Sequence, residues 1–287
     1  MKATNCHPLR CRPGRLPLLT IASCLAAANL VVTAAPAPSP VKVFILAGQS
    51  NMVGHGKVEM GRDPSVAEGK APEVKGGIGC LRYLVKTDPG KYGALVDDKG
   101  SWIVRDDVWL WSTTDNGEKG PLTVGSGKGG WIGPEFAFGH VVGNHLDEPV
   151  LIIKTAWGGK DLGVDFRPPS AGMPAYDLGG NRQKALEADP KIIGHYYRLM
   201  LEHVREVLKD PGAQFPELAG RETEIAGFGW HQGWNDGGNE NFVAEYEKNL
   251  AHLIRDLRKD LGKPKLPVVI ANSGFGGEKL AGRRLKV

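Results

Sequence analysis

Four apolar runs, each closing on small or amide residues, set the strongest limit on what this chain folds into. They are "VKVFILAG", "PVLIIKTAWGG", "TEIAGFGWHQG" and "LPVVIANSG". In the first, Val43, Phe44, Ile45 and Leu46 have the composition of a strand covered on both faces. Helix-like segments separate the runs. Gly133-Pro134 opens one, with Pro at the first position, Glu135 in the first turn, and Phe138, Val141, Val142 and Leu146 behind. Helical spacing of apolar residues marks two more, over 190–209 and 240–260, the latter ended by Gly262 and Pro264. Strand–helix alternation at these lengths predicts an α/β fold with a parallel, doubly wound sheet. From Gly54 to Gly130 periodicity is weak, which predicts loops and short hairpins around "SWIVRDDVWLWS"; residues 160–189 read as irregular. Neither an internal repeat nor a linker divides residues 36–287.

The charge balance changes once the first residues are set apart. Of 36 basic residues, Lys2, Arg10, Arg12 and Arg15 precede residue 36, leaving 32 against 32 acidic ones. That neutrality gives no support for nucleic-acid binding. The four cations lead into an apolar segment, Leu16 to Val32, followed by Thr33-Ala34-Ala35 and the Pro-rich "PAPSP". This is the pattern of a secretory signal peptide over residues 1–35. Thr20, Ser23 and Asn29 interrupt the segment and make it a poor membrane span. The expectation is an exported protein, secreted or periplasmic. Cys24, in "IASC", offers a lipoprotein cleavage site as the alternative, but the apolar run continues past it. Cys80 is then the one cysteine left in the mature chain, so no internal disulfide forms, and no Cys/His cluster has zinc spacing. Neither a metal nor a cofactor is expected.

In a parallel sheet, the strand exits share one rim, where ligands bind. Three of them carry Gly48-Gln49-Ser50-Asn51, Trp157-Gly158-Gly159-Lys160 and His231-Gln232-Gly233-Trp234-Asn235-Asp236. Gly, Ser and Asn are also ordinary turn residues, so the first exit alone does not separate a turn from a site. Together the exits offer a hydroxyl, glycine amides and side-chain amides, which is the inventory for acyl transfer.

Four ordered blocks extend that reading: "AGQSNM", "GPE" at 133–135, "TAWGGK" at 155–160 and "WHQG" at 230–233. On these the chain resembles the SGNH hydrolases, in their sialate O-acetylesterase-like branch, carbohydrate esterase family six. The resemblance runs from about residue 41 to 275. It implies a three-layer α/β/α fold with a flavodoxin-like sheet and a serine esterase acting without metal on acetylated carbohydrates. It also implies Ser50 as nucleophile, with the amides of Ser50 and Gly158 and the side chain of Gln232 forming the oxyanion hole.

Two departures qualify the match. The branch continues His-Gln-Gly with Glu, where this chain has Trp234; Gly233-Trp234-Asn235-Asp236 reads instead as the G-x-N-D of other SGNH hydrolases. Asn235 then shares the oxyanion role, and Asp236 supplies charge nearby. The family's general base is a histidine in a C-terminal Asp-x-x-His block, whereas the last histidine here is His252, mid-helix. The expectation is a domain over 36–287 that is C-terminally incomplete. His231 and His55 are the substitute bases to weigh, with Asp236. The alternative to an esterase is a non-catalytic carbohydrate-binding relative whose tryptophans stack on sugars.

Overall fold

The apolar runs become strands that pair side by side. The computed structural model describes residues 38–114, 117–272, 282 and 286–287; they belong to one compact unit, Pro38–Val287. The leader expected at 1–35, with Cys24, lies outside the described residues. The strands are β1 (Val41–Gly48), β2 (Met60–Arg62), β3 (Glu73–Lys75), β4 (Val108–Ser112), β5 (Lys119–Pro121), β6 (Val150–Ala156), β7 (Thr223–His231) and β8 (Val268–Ile270). The α-helices are α1 (Ser50–Val53), α2 (Leu81–Thr87), α3 (Pro89–Tyr92), α4 (Pro134–Gly143), α5 (Gly180–Ala188), α6 (His195–Lys209), α7 (Pro211–Gln214) and α8 (Glu240–Asp260).

The main sheet has the order β5-β4-β6-β1-β7-β8. All its pairings are parallel except β4 with β5. The four strands read from the apolar runs therefore lie second-first-third-fourth across the sheet, as in the flavodoxin-like order. Alternate residues of β1 enter opposite cores. Val41, Val43 and Ile45 join Met200, Val204, Leu253 and Leu257 of α6 and α8. Leu46 joins Val108, Leu110 and Ile152, with Phe138 and Val142 of α4 packed alongside. The result is three layers, and each fully buried aliphatic side chain contributes on the order of 1.5–3 kcal/mol. Among the described residues no helix is long and apolar enough to cross a membrane.

Three elements differ from the sequence reading. "VWLWS" is more than a hairpin arm: β4 pairs with β5 and also joins β6 in parallel, sending Val108 and Leu110 to one core and Trp109 to the other. The helix expected from 190 begins at 195, because Pro190–Ile192 forms a 3-10 turn and Gly194 is left-handed at φ 68°. There an added Cβ would lie 2.4 Å from the Arg167 carbonyl oxygen. Residues 160–189 include α5, which buries no residue and so shows no apolar period. The helix over 240–260 stands as read, its entry capped by the Asn239 side chain accepting from the amides of Asn241 and Phe242.

Candidate active site

The exit of β1 lies between those of β6 and β7, at the point where successive crossovers turn from one side of the sheet to the other. Gly48 joins all three. Its carbonyl accepts from the Trp157 amide at 3.2 Å, and the next amide, Gln49, donates to the His231 carbonyl at 3.2 Å. A Cβ on Gly48 would stand 2.2 Å from that His231 oxygen, so the strands close here only around a glycine. Ser50 starts α1, a single turn held by the Met52 and Val53 amides donating to the Gln49 carbonyl. Gly54 ends it at φ 96°, where a Cβ would meet the Gly133 Cα at 2.4 Å.

Gln49 is fully buried and ties the first exit to the third. Its Oε1 accepts from Gln232 Nε2 (3.2 Å), the Asn235 amide (3.2 Å) and the Gly233 amide (3.4 Å). Its Nε2 donates to Ser50 Oγ at 3.4 Å. Gln232 is also buried. Besides Gln49, its Nε2 faces Asp236 Oδ2 at 2.5 Å and the Lys160 carbonyl at 3.0 Å, while its Oε1 accepts from the Tyr246 hydroxyl at 3.1 Å. Both amide hydrogens are committed to buried acceptors. The residue braces the rim at the third exit.

Asn235 is placed differently. It is half-buried, and its Nδ2 lies 3.7 Å from where a Cβ on Gly159 would stand. Its amide side chain therefore borders the exposed Gly158-Gly159 turn. Asp236 lies beneath. It accepts from the Leu162 amide (3.0 and 3.1 Å), the Gly163 amide (3.0 Å) and Gln232, clamping the segment that follows the glycines. Burial, and next the charge of Asp161, push the Asp236 carboxyl up to about 7, against the pull of those donors. Asp161, also raised by burial, accepts from the Val164 amide and pairs with Arg182 at 2.6 Å. Asp236 thus clamps the loop after the glycine turn to the third exit.

The two candidate histidines differ in setting. His231 is half-buried and in register with Gly48, and its Nδ1 has no hydrogen-bond partner among the described residues. Burial holds its pKa below the usual imidazole value, so it is neutral at pH 7. His55 is exposed in the loop after α1, its ring edge-on to Trp131 at 5.9 Å.

A second buried constellation supports α1 from below. Lys154 of β6 and Glu135 of α4 pair at 2.8 Å, both side chains fully buried. Lys154 Nζ also donates to the carbonyls of Val53 (2.8 Å) and Ser126 (3.0 Å), and Glu135 Oε1 accepts from the Gly133 amide at 2.9 Å. Desolvation outweighs the attraction of Lys154 and leaves the Glu135 carboxyl above its usual range. Sequence reasoning passed over this pair and the brace at Gln49. The signal for the first was present: a lysine inside "LIIKTA" is buried only with a partner.

A family model described as carbohydrate esterase, sialic acid-specific acetylesterase matches residues 106–282. The match takes in the second and third exits and begins after Ser50. A protein of Arabidopsis thaliana described as a probable carbohydrate esterase is 26% identical over 156 residues, 54% of this chain and 47% of that protein. The chain thus spans about half the length of the curated relative it matches. Among solved structures, an Arabidopsis thaliana protein aligns at TM-score 0.48 and 22% identity, over 86% of this chain and 79% of that one. A carbohydrate acetylesterase from Xanthomonas citri aligns at 0.44 and 14%, over 80% and 41%. NanS aligns at 0.43 and 12%, over 84% and 70%.

Proposed function

Since the chain belongs to the carbohydrate esterase, sialic acid-specific acetylesterase family, we propose that it is a serine esterase removing acetyl groups from carbohydrate esters. Ser50 Oγ attacks the acetyl carbonyl and gives its proton to a base. The tetrahedral oxyanion is met by the amides of Ser50 and Gly158 and by Asn235 Nδ2. Collapse expels the sugar oxygen, which takes the proton back from the base, and water then hydrolyses the acetyl-serine by the reverse proton path. Gln232 and Asp236 hold the donors in place. We assign the base to His231, which is neutral at pH 7 and has an unengaged Nδ1 beside the β1 exit. The observation that carries the proposal is the convergence of a half-buried serine, an open glycine turn and a half-buried amide at three adjacent parallel exits.

A second reading, a carbohydrate-binding protein without catalysis, draws on one observation. Among the described residues no histidine is hydrogen-bonded to Ser50, whose hydroxyl receives only the Gln49 amide. Hydrolysis of an aryl acetate decides between them. We expect turnover that falls by about 10³ or more in Ser50→Ala and in His231→Ala, and survives His55→Ala. Turnover indifferent to Ser50→Ala refutes the esterase reading, and loss with His55→Ala alone moves the base to that residue.

A further inference from the structure

The glycine turn at the second exit carries nothing of its own that could hold it in place. Gly158 and Gly159 are exposed, and a Cβ on Gly158 would meet nothing within 4 Å. Where the turn sits is therefore decided at its two flanks. Upstream, the Trp157 amide is tied to the Gly48 carbonyl. Downstream, the Lys160 carbonyl accepts from Gln232 Nε2 at 3.0 Å, and the same nitrogen donates to Gln49, whose own Nε2 donates to Ser50 Oγ. A continuous run of hydrogen bonds thus leads from the downstream flank to Ser50.

That flank is clamped by two groups. Asp236 takes the Leu162 and Gly163 amides, and a Cβ on Gly163 would stand 2.6 Å from the Phe242 ring, so the segment lies directly on α8. The second clamp is Arg182 of α5. Its guanidinium stands over Phe242 at 5.6 Å and reaches two carboxylates at once, Asp161 Oδ2 at 2.6 Å and Asp165 Oδ2 at 2.9 Å. Those carboxylates frame the segment. Asp161 accepts from the Val164 amide (2.7 Å) and the Asp165 amide (3.2 Å), and Asp165 accepts from the Asp161 amide (3.1 Å). Two anions so close repel, and a planar fork of donors is the group that bridges them. Lys160 Nζ approaches Asp165 at 3.8 Å, but among the described residues Arg182 is the cation paired with Asp161. Elsewhere α5 rests on Leu186, packed against the Val164, Ile193 and Phe242 cluster, and buries no residue outright.

We propose that Arg182 is a positioning residue for ester hydrolysis, holding the downstream flank so that the Gly158 amide is aimed at the oxyanion, a proposal that rests on the esterase reading above. A turn without side chains follows its anchors. A displacement on the order of 1 Å at a reacting group costs about 10² in rate. An oxyanion donor acts on the transition state rather than on the bound substrate, so loss of Arg182 lowers kcat and leaves KM near its value. The Arg182 side chain is 35% exposed. Once it is truncated, its place between the two carboxylates is open to a small planar cation from solution.

The test measures aryl acetate hydrolysis and amide hydrogen exchange on one set of proteins. We expect Arg182→Ala to lower kcat about 10–100-fold with KM within about twofold, at a temperature where circular dichroism shows the fold intact. Arg182→Lys keeps the charge but cannot bridge both carboxylates, and its kcat falls between. Guanidinium chloride in the millimolar range restores part of the Arg182→Ala rate, and sodium chloride at the same concentration does not. The amides of residues 158–162 exchange at least about tenfold faster in Arg182→Ala. Gln183→Ala frees the Leu178 amide at the entry to α5 and changes neither readout. Arg182→Lys is held to the same criteria if the alanine variant does not fold. In a hydrolysing protein, unaltered kcat overturns the proposal, as does a loss that Gln183→Ala reproduces; in any protein, unaltered exchange at 158–162 overturns it. Faster exchange in Arg182→Ala, in a protein that hydrolyses no ester in any version, refutes the esterase reading and leaves the anchoring of the glycine turn standing.

Discussion

Replacing Glu135 by glutamine keeps the shape of the side chain and an acceptor for the Gly133 amide, but removes the charge that faces Lys154 at 2.8 Å. Lys154 is fully buried, and its ammonium group then keeps the carbonyl oxygens of Val53 and Ser126 without that carboxylate. Removing one partner of such a pair typically costs 3–5 kcal/mol. The carbonyls of Val53 and Ser126, which remain, place Glu135→Gln near the low end, about 3 kcal/mol. In a domain of this size that corresponds to a fall in Tm of about 6–12 °C. Lys154→Met costs a similar amount by stranding Glu135, whereas the double variant Glu135→Gln/Lys154→Met leaves no unpaired charge. Its loss falls at least about 2 kcal/mol short of the sum of the singles. Urea melts followed by circular dichroism, fitted with a common m-value, read all four proteins. A cost under about 1 kcal/mol for Glu135→Gln, or strict additivity, refutes the claim that this pair secures α1 from beneath.

Two further predictions concern the rim. Because burial raises Asp236 to about 7 from an unfolded value near 4, its contribution to stability is full below about pH 4 and is lost as pH rises through 7. The difference is on the order of 4 kcal/mol. Asp236→Asn flattens that decline in melts taken at about pH 5 and pH 8, and an unchanged slope counts against the buried-carboxylate assignment. Gly54→Ala places a Cβ against the Gly133 Cα in a left-handed position and costs at least about 1–3 kcal/mol. It lowers aryl acetate turnover at temperatures where the fold is intact by circular dichroism; full activity there shows that α1 tolerates displacement.

The sheet was legible in the sequence because its strands are continuous apolar runs and its exits carry glycines. α4 and α8 were legible because Pro134 and the spacing from Phe242 to Leu257 mark them. What escaped has a common physical origin. α5 buries nothing, so no period betrays it, and β4 hides because its inward residues are split between two cores. At the site, residue types marked the candidates but not their partners. Nothing in "WHQGWND" tells that the glutamine turns inward to Asp236 and Gln49 while the asparagine borders the glycine turn. That choice is made by the depth of each backbone position relative to β1, a property of the assembled sheet.

The brace at Gln49 also has a consequence for the order in which the molecule matures. Its acceptor oxygen is matched by groups 183 to 186 residues further along the chain. Closing so long a loop is entropically costly and is repaid only when β7 docks beside β1. Until ribosome and folding have delivered residue 235, Gln49 has no rim to grip, and the turn bearing Ser50 lacks its anchor. The turn that carries the proposed nucleophile is therefore among the last features to be organised, and a partly synthesised chain carries Ser50 without the architecture that holds it.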